Sequence, residues 1–290
     1  LFALAKAKSG GRISVSAAHD EHVLEAVHEA KKMGLADFTL IGDEVKIKAI
    51  AETFKINLAD FEVIHEADVA ASCIMAVKLV SEGKAHAVMK GLCDTSVIMK
   101  AALNKEAGIR TGNLLSHLAA FKVPSYPKLL FVTDAAINIA PDYQAKRHIL
   151  QNAITAVQNL GIPEPKAALL AAKEKADEKM PVTLEYVKLV AEAKAGGFKG
   201  AIIDGPLALD NAVSREACAI KGINSPVGGE ADILFCPDIE AGNILYKALN
   251  FLAAAQSGGV VVGAKRPVIL TSRADSVESK LISIALGVLF

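Results

Sequence analysis

The chain has 290 residues, 52% of them hydrophobic and only 5% aromatic, a length that fits two compact domains better than one. Its 32 basic and 32 acidic side chains cancel, which argues against a nucleic-acid binder or a membrane-surface protein. Aliphatic cores built from Ala, Val, Ile and Leu are therefore expected, and no apolar run reaches the length of a membrane span.

Cys73, Cys93, Cys218 and Cys236 lie far apart and form no CxxC pair. Their apolar contexts predict buried, reduced thiols, as in a cytoplasmic protein. Leu1 to Lys8 lack the long apolar region and cleavage site of a signal peptide. A soluble cytoplasmic protein is the expectation.

Arg12 to Ser16 alternates like a strand, and Asp20 can cap a helix whose apolar face is Val23, Ala26, Val27 and Ala30. Phe38 to Ile41 and Glu62 to His65 read as the next strands, each followed by a helical stripe: Ile47 and Ile50, then Cys73, Ala76, Val77 and Val80. Ala85 to Met89 is a fourth strand. Strands alternating with helices, too apolar for a solvated face, predict a mostly parallel sheet covered by helices.

The fourth strand ends in Lys90-Gly91-Leu92-Cys93-Asp94-Thr95, with a helix from Ser96 through Leu103. Glycine permits close backbone approach, so the amides beyond it suit an anion aided by Lys90 and Thr95. A capped turn with a solvated lysine fits these residues as well. Arg110-Thr111-Gly112 and Ser116-His117 show no clear periodicity and read as a loop.

Leu129 to Asp134 is another buried strand, and Asn138 and Pro141 break the pattern before a long helix from Tyr143 to Leu160. Further strands are expected at 166–171, 201–206, 231–235, 259–262 and 268–270, and helices at 184–194, 239–255 and 277–289. A first α/β domain over 1–138 plus 264–290 and a second over 139–263 follow from these breaks.

Val268-Ile-Leu270 runs into Thr271-Ser272-Arg273-Ala274-Asp275 and then a helix. A strand that delivers hydroxyls, a guanidinium and helix-start amides to its carboxyl end suits a phosphate or an oxyanion. A plain capped strand-to-helix turn remains equally open on these residues alone. Other motifs fail. Gly258 to Lys265 misses the P-loop spacing and has Arg266 where Ser or Thr is needed, and neither GxGxxG after the first strand nor GxSxG is present. His19, His22 and His28 lack a second cluster to close a metal site, so no metal is expected.

Met89 to Thr95, Thr133 to Asn138, Asp204 to Asp210, Glu240 to Lys247 and Thr271 to Ser276 stand in the order of motifs in the phosphate acetyl/butyryltransferase family. The chain resembles that family, its butyryltransferase branch especially, from about Ile13 to its end. The resemblance implies reversible conversion of acyl-CoA and inorganic phosphate to acyl phosphate and coenzyme A, with coenzyme A as substrate or product and no cofactor. It implies a two-domain, three-layer α/β/α fold similar to isocitrate and isopropylmalate dehydrogenases, an active site in the interdomain cleft, and a homodimer.

It further implies Ser272 and Arg273 as catalytic residues. The aspartate that serves as proposed base in well-studied acetyltransferase members is Ser279 here, so Asp275 and Glu278 become the candidate substitutes. Lys90, Thr95, Asn138 and Asn243 are candidates for positioning substrate, with Ser116 and Lys247 beside them, and Lys100 and Arg110 for coenzyme A phosphates. The competing readings are a phosphate acetyltransferase, a metal- and nicotinamide-dependent hydroxyacid dehydrogenase on the same fold, and an idle acyl-CoA-binding module.

Overall fold

The computed structural model describes residues 1–8, 11–272 and 275–290. The chain divides into two compact units, residues 1–113 with 258–290 and residues 114–257. In the first lie α1 (Phe2–Ala7), β1 (Arg12–Ser16), α2 (Glu21–Lys32), β2 (Asp37–Gly42), α3 (Glu44–Thr53), β3 (Glu62–His65), α4 (Val69–Ser81), β4 (Ala87–Lys90) and α5 (Thr95–Ala102). The second holds β5 (Ser116–Lys122), β6 (Leu129–Thr133), α6 (Tyr143–Asn159), β7 (Lys166–Leu170), α7 (Pro181–Lys194), β8 (Ile202–Leu207), α8 (Leu209–Val213), α9 (Arg215–Lys221), β9 (Ile233–Phe235) and α10 (Ile239–Phe251). From β10 (Gln256–Val262) the chain returns to the first unit for β11 (Val268–Ile269) and α11 (Val277–Leu289).

Strand order in the first unit is β3-β2-β1-β4-β11-β10, parallel except for the β10–β11 pair. In the second it is β5-β6-β9-β7-β8, parallel except for β5–β6. Alternation along β1 assigns the two faces of its sheet. Ser14 Oγ donates to Ala76 O of α4 at 2.8 Å, while Ile13 and Val15, wholly buried, point to the other face. Aspartates cap several of the helices among the described residues: Asp20, Asp43, Asp68, Asp142 and Asp238 each accept from amides of the first turn. Each such cap contributes about 1 kcal/mol. Among the described residues no helix is long and apolar enough to cross a membrane.

Two expectations need correction. Ser116 and His117 open a strand, not a loop, because β5 pairs antiparallel with β6 from Ala119 opposite Val132 to Lys122 opposite Leu129. That pairing and the β6–β9 ladder hold 114–138 to the second unit. The divisions therefore fall at 113/114 and 257/258 rather than 138/139 and 263/264.

Candidate active site

Three adjacent parallel strands of the first unit end side by side. Ser16 of β1 is level with Lys90 of β4, and Ile269 of β11 with Met89. The carboxyl ends of such strands are where open α/β sheets place ligands. Chain leaving β1 runs through His19 and Asp20 into α2, chain leaving β4 through Gly91 to Asp94 into α5, and chain leaving β11 through Thr271 and Ser272 toward α11.

The β1 and β4 exits are locked together. Gly91 N donates to Ser16 O and Leu92 N to Ala17 O, both at 2.9 Å. A Cβ at position 91 would lie 2.3 Å from Ser16 O and 2.4 Å from Ala17 O, so glycine is what allows this approach. Lys90 is buried, and its ammonium turns back onto its own loop, donating to Cys93 O at 3.0 Å and Gly91 O at 3.4 Å. Thr95 is exposed in the first turn of α5, Lys100 exposed in its last turn, and Arg110 exposed beyond it. Cys73 Sγ donates to Cys93 Sγ at 3.6 Å. That bond, with the charge of Lys90, holds the Cys93 thiol below its ordinary range against the effect of burial.

The β11 exit is built around Ser272. Its amide donates to Asp275 Oδ2 at 2.6 Å, and its carbonyl accepts from Asp275 N at 3.2 Å and from Lys280 Nζ at 3.1 Å. Lys280 Nζ also donates to Asp275 O at 2.8 Å. Ser272 is exposed and Asp275 half-buried, while Glu278 is exposed in the first turn of α11. Arg273 lies outside the described residues. Ser276 caps α11, accepting from Ser279 N at 3.1 Å and donating to Ser279 Oγ at 3.2 Å. The position where the family's carboxylate was expected thus carries a hydroxyl bound into the helix cap.

Lys280 and His19 are members of this rim that the sequence reading did not select. Lys280 is 1% exposed. Burial, reinforced by the charge of Lys90 and opposed by Asp275 and Asp20, pulls its ammonium below the ordinary lysine value. A lysine directly before the apolar run that begins at Leu281 was the available signal. His19 is buried and held below the ordinary histidine value by burial and by Lys46, and its Nδ1 accepts from Asp43 N at 3.4 Å.

The remaining candidates gather in the second unit, around the turn after β6. Asp134 is buried and accepts from the amides of Ala136 and Ile137 at 2.9 and 3.0 Å, and from Asn138 Nδ2 at 2.6 Å. Asn138 Nδ2 also donates to Leu115 O at 2.8 Å. Asn243 Nδ2 donates to Ala135 O at 3.1 Å from α10. Gly242 lets that helix approach, since a Cβ there would lie 2.1 Å from Asp134 O. Lys247 is exposed one turn along. Ser116 is wholly buried, its hydroxyl accepting from Asn152 Nδ2 at 3.0 Å, which braces β5 against α6.

A rim that presents an exposed serine and two buried ammonium groups is equipped to receive anions. The sequence profile of the phosphate acetyl/butaryl transferase family matches residues 1–72 and 65–288. The chain belongs to that family. It is 45% identical over 284 residues to the phosphate butyryltransferase of Clostridium acetobutylicum, an alignment covering 98% of this chain and 94% of that protein. It is 42% identical over 290 residues to the phosphate acetyltransferase of Rhizobium meliloti, covering 100% and 92%. Among solved structures, a branched-chain phosphotransacylase from Enterococcus faecalis V583 matches with a TM-score of 0.86 at 34% identity, covering 97% of this chain and 98% of that one. The transferase is a phosphate acyltransferase on a mixed α/β fold, and the oxidoreductase reading falls.

Proposed function

We propose that this phosphate acyltransferase takes a short-chain acyl-CoA, butyryl or branched-chain, and inorganic phosphate to acyl phosphate and coenzyme A. The reaction is reversible and proceeds by direct transfer while both substrates are bound. A phosphate oxygen attacks the thioester carbonyl, the C–O bond forms, the C–S bond breaks, and the electron pair leaves on the coenzyme A sulfur. Two anions have to meet, so cations and amide donors offset their repulsion. Arg273 holds phosphate through its two-pronged guanidinium. Ser272 donates to the developing oxyanion or to the departing thiolate, a contribution of about 3 kcal/mol for such donors.

Lys90, Thr95, Asn138 and Asn243 position the reactants, with Ser116 and Lys247 supporting them, and Lys100 and Arg110 meet coenzyme A phosphates. Asp275 or Glu278 takes the thiol proton in the reverse direction, where a thiol of pKa about 8.5 already supplies some thiolate. Coenzyme A enters as substrate, and the active species is a cytoplasmic homodimer.

The observation that carries this reading is the exposed Ser272 at the carboxyl end of β11, its amide and carbonyl both fixed, beside the anchored Lys90 loop. An acetyl preference is the second reading, favoured by the 42% identity to an acetyltransferase over the whole chain. Phosphate-dependent thiol release from acetyl-, butyryl- and branched-chain acyl-CoA separates the two. The longer chains should win in kcat/KM by about tenfold or more, the worth of one methylene in an apolar pocket. Acetyl-CoA as the best substrate would reverse the assignment.

A further inference from the structure

Lys280 is the least expected charge in the molecule. It stands in the second turn of α11, 1% exposed, in a helix whose buried residues include Ile282, Ile284, Ala285, Leu286 and Leu289. Removing an ammonium from water is costly unless its donors are satisfied. Here the acceptors are two backbone carbonyls, Ser272 O at 3.1 Å and Asp275 O at 2.8 Å. Those carbonyls bracket the turn between β11 and α11. The same turn is closed by Ser272 N on Asp275 Oδ2 and by Asp275 N on Ser272 O. The ammonium therefore reaches back from the helix and pins both ends of the segment that presents Ser272. Lys90 does the equivalent on the β4 exit, donating to Gly91 O and Cys93 O.

We infer that Lys280 is a positioning residue for acyl transfer, its ammonium fixing the backbone of residues 272 and 275 so that the Ser272 hydroxyl is held where the reaction needs it. This inference rests on the role proposed for Ser272. Lys280 acts through Ser272 and does not itself touch the substrates. A flexible, uncharged chain of similar length in its place leaves the helix and its apolar packing intact while releasing the turn. Misplacing a reacting group by about 1 Å costs on the order of a hundredfold in rate, so the consequence appears in kcat.

Lys280→Met, Ser272→Ala and the double variant form the test, assayed as thiol release from butyryl-CoA with saturating phosphate. Lys280→Met should lower kcat by about 10- to 100-fold while KM for acyl-CoA stays within about threefold, since ground-state binding is not removed. Ser272→Ala should lower kcat by about 10²- to 10³-fold. In that background Lys280→Met should cost less than about threefold, because the group it positions is gone. A lysine that served stability alone would lower activity equally in both backgrounds, and that result overturns the inference. So does a crippled Ser272→Ala beside a Lys280→Met of normal kcat. Normal turnover in Ser272→Ala instead defeats the role of Ser272 itself, and the inference falls with it. Should Lys280→Met fail to fold, Lys280→Gln replaces it in the same cycle: its uncharged amide nitrogen stands one bond short of the ammonium that meets Ser272 O and Asp275 O, so kcat should still fall only where Ser272 is present, and an equal fall in both backgrounds overturns the inference.

Discussion

Gly91→Ala probes the joint on which the candidate site depends. The added Cβ would stand 2.3 Å from Ser16 O and 2.4 Å from Ala17 O, and both obstacles are backbone. Neither can swing aside as a side chain would, so the β4 exit must move away from the β1 exit. Overpacking of this kind costs about 1–3 kcal/mol. The shift also lengthens the 2.9 Å bonds from Gly91 N to Ser16 O and from Leu92 N to Ala17 O, and a buried amide left unsatisfied costs about 1–3 kcal/mol more. A loss near 3 kcal/mol is therefore expected, read as a lower urea midpoint at unchanged slope. Gly34→Ala is the control. Its φ of +70° disfavours alanine, yet nothing lies within 4 Å of the new Cβ, so only the backbone term, about 1 kcal/mol, applies. If Gly91→Ala costs less than about 0.5 kcal/mol, or no more than Gly34→Ala, the close crossing of the two exits is not the constraint described.

Arg273→Ala should lower kcat/KM for phosphate by about two orders of magnitude, the rate equivalent of a donor worth about 3 kcal/mol; near-normal turnover and phosphate affinity would remove the arginine from the mechanism. Lys280 titrates below its ordinary 10.5, through burial first and then Lys90, with Asp275 and Asp20 opposing. Between its folded value and 10.5 the unfolded chain holds a proton that the folded chain gives up, so wild-type stability gains with rising pH in that window. Urea unfolding at about pH 7.5 and about pH 10 should therefore shift in favour of wild type over Lys280→Met as pH rises, and a shift the other way refutes the burial penalty. Ala variants of Asp275 and Glu278, assayed in the direction of acyl-CoA synthesis, should separate a base from a brace. An ionisation limb of the pH–rate profile that disappears in one variant marks that residue as the base.

The parallel strands and most of their helices were readable because burial on both faces leaves apolar runs bounded by glycine and aspartate. The capping aspartate Asp20 marks a helix start in the sequence as it does in the structure. β5 was not readable. Every residue from Ser116 to Phe121 is buried, but the strand opens on the polar Ser116 and His117, so neither a clean apolar run nor an alternation announces it. The misplaced domain break has the same origin, since only knowledge of the β5–β6 ladder attaches 114–138 to the second unit. That Lys90 and Ser272 stand at or just past strand ends was legible from the apolar runs that precede them. The role of Lys280 was not, because a lysine near the start of an apolar helix looks like a solvated edge until its two carbonyl partners are seen.

Those partners bear on the missing carboxylate at position 279. A base must be able to gain a proton without disturbing what it holds. Asp275 accepts the Ser272 amide at 2.6 Å through Oδ2, and protonating that carboxylate weakens a charge-assisted bond that fixes the serine. Its negative charge also supports the buried Lys280 ammonium. Acting as a base would loosen both supports of Ser272 while the chemistry is under way. Asp275 is therefore expected to serve as a brace: Asp275→Ala should lower kcat and leave the shape of the pH–rate profile unchanged. A limb lost in Asp275→Ala alone would refute this. Glu278, exposed in the first turn of α11, then becomes the side-chain candidate for the thiol proton, and only its Ala variant should flatten a limb.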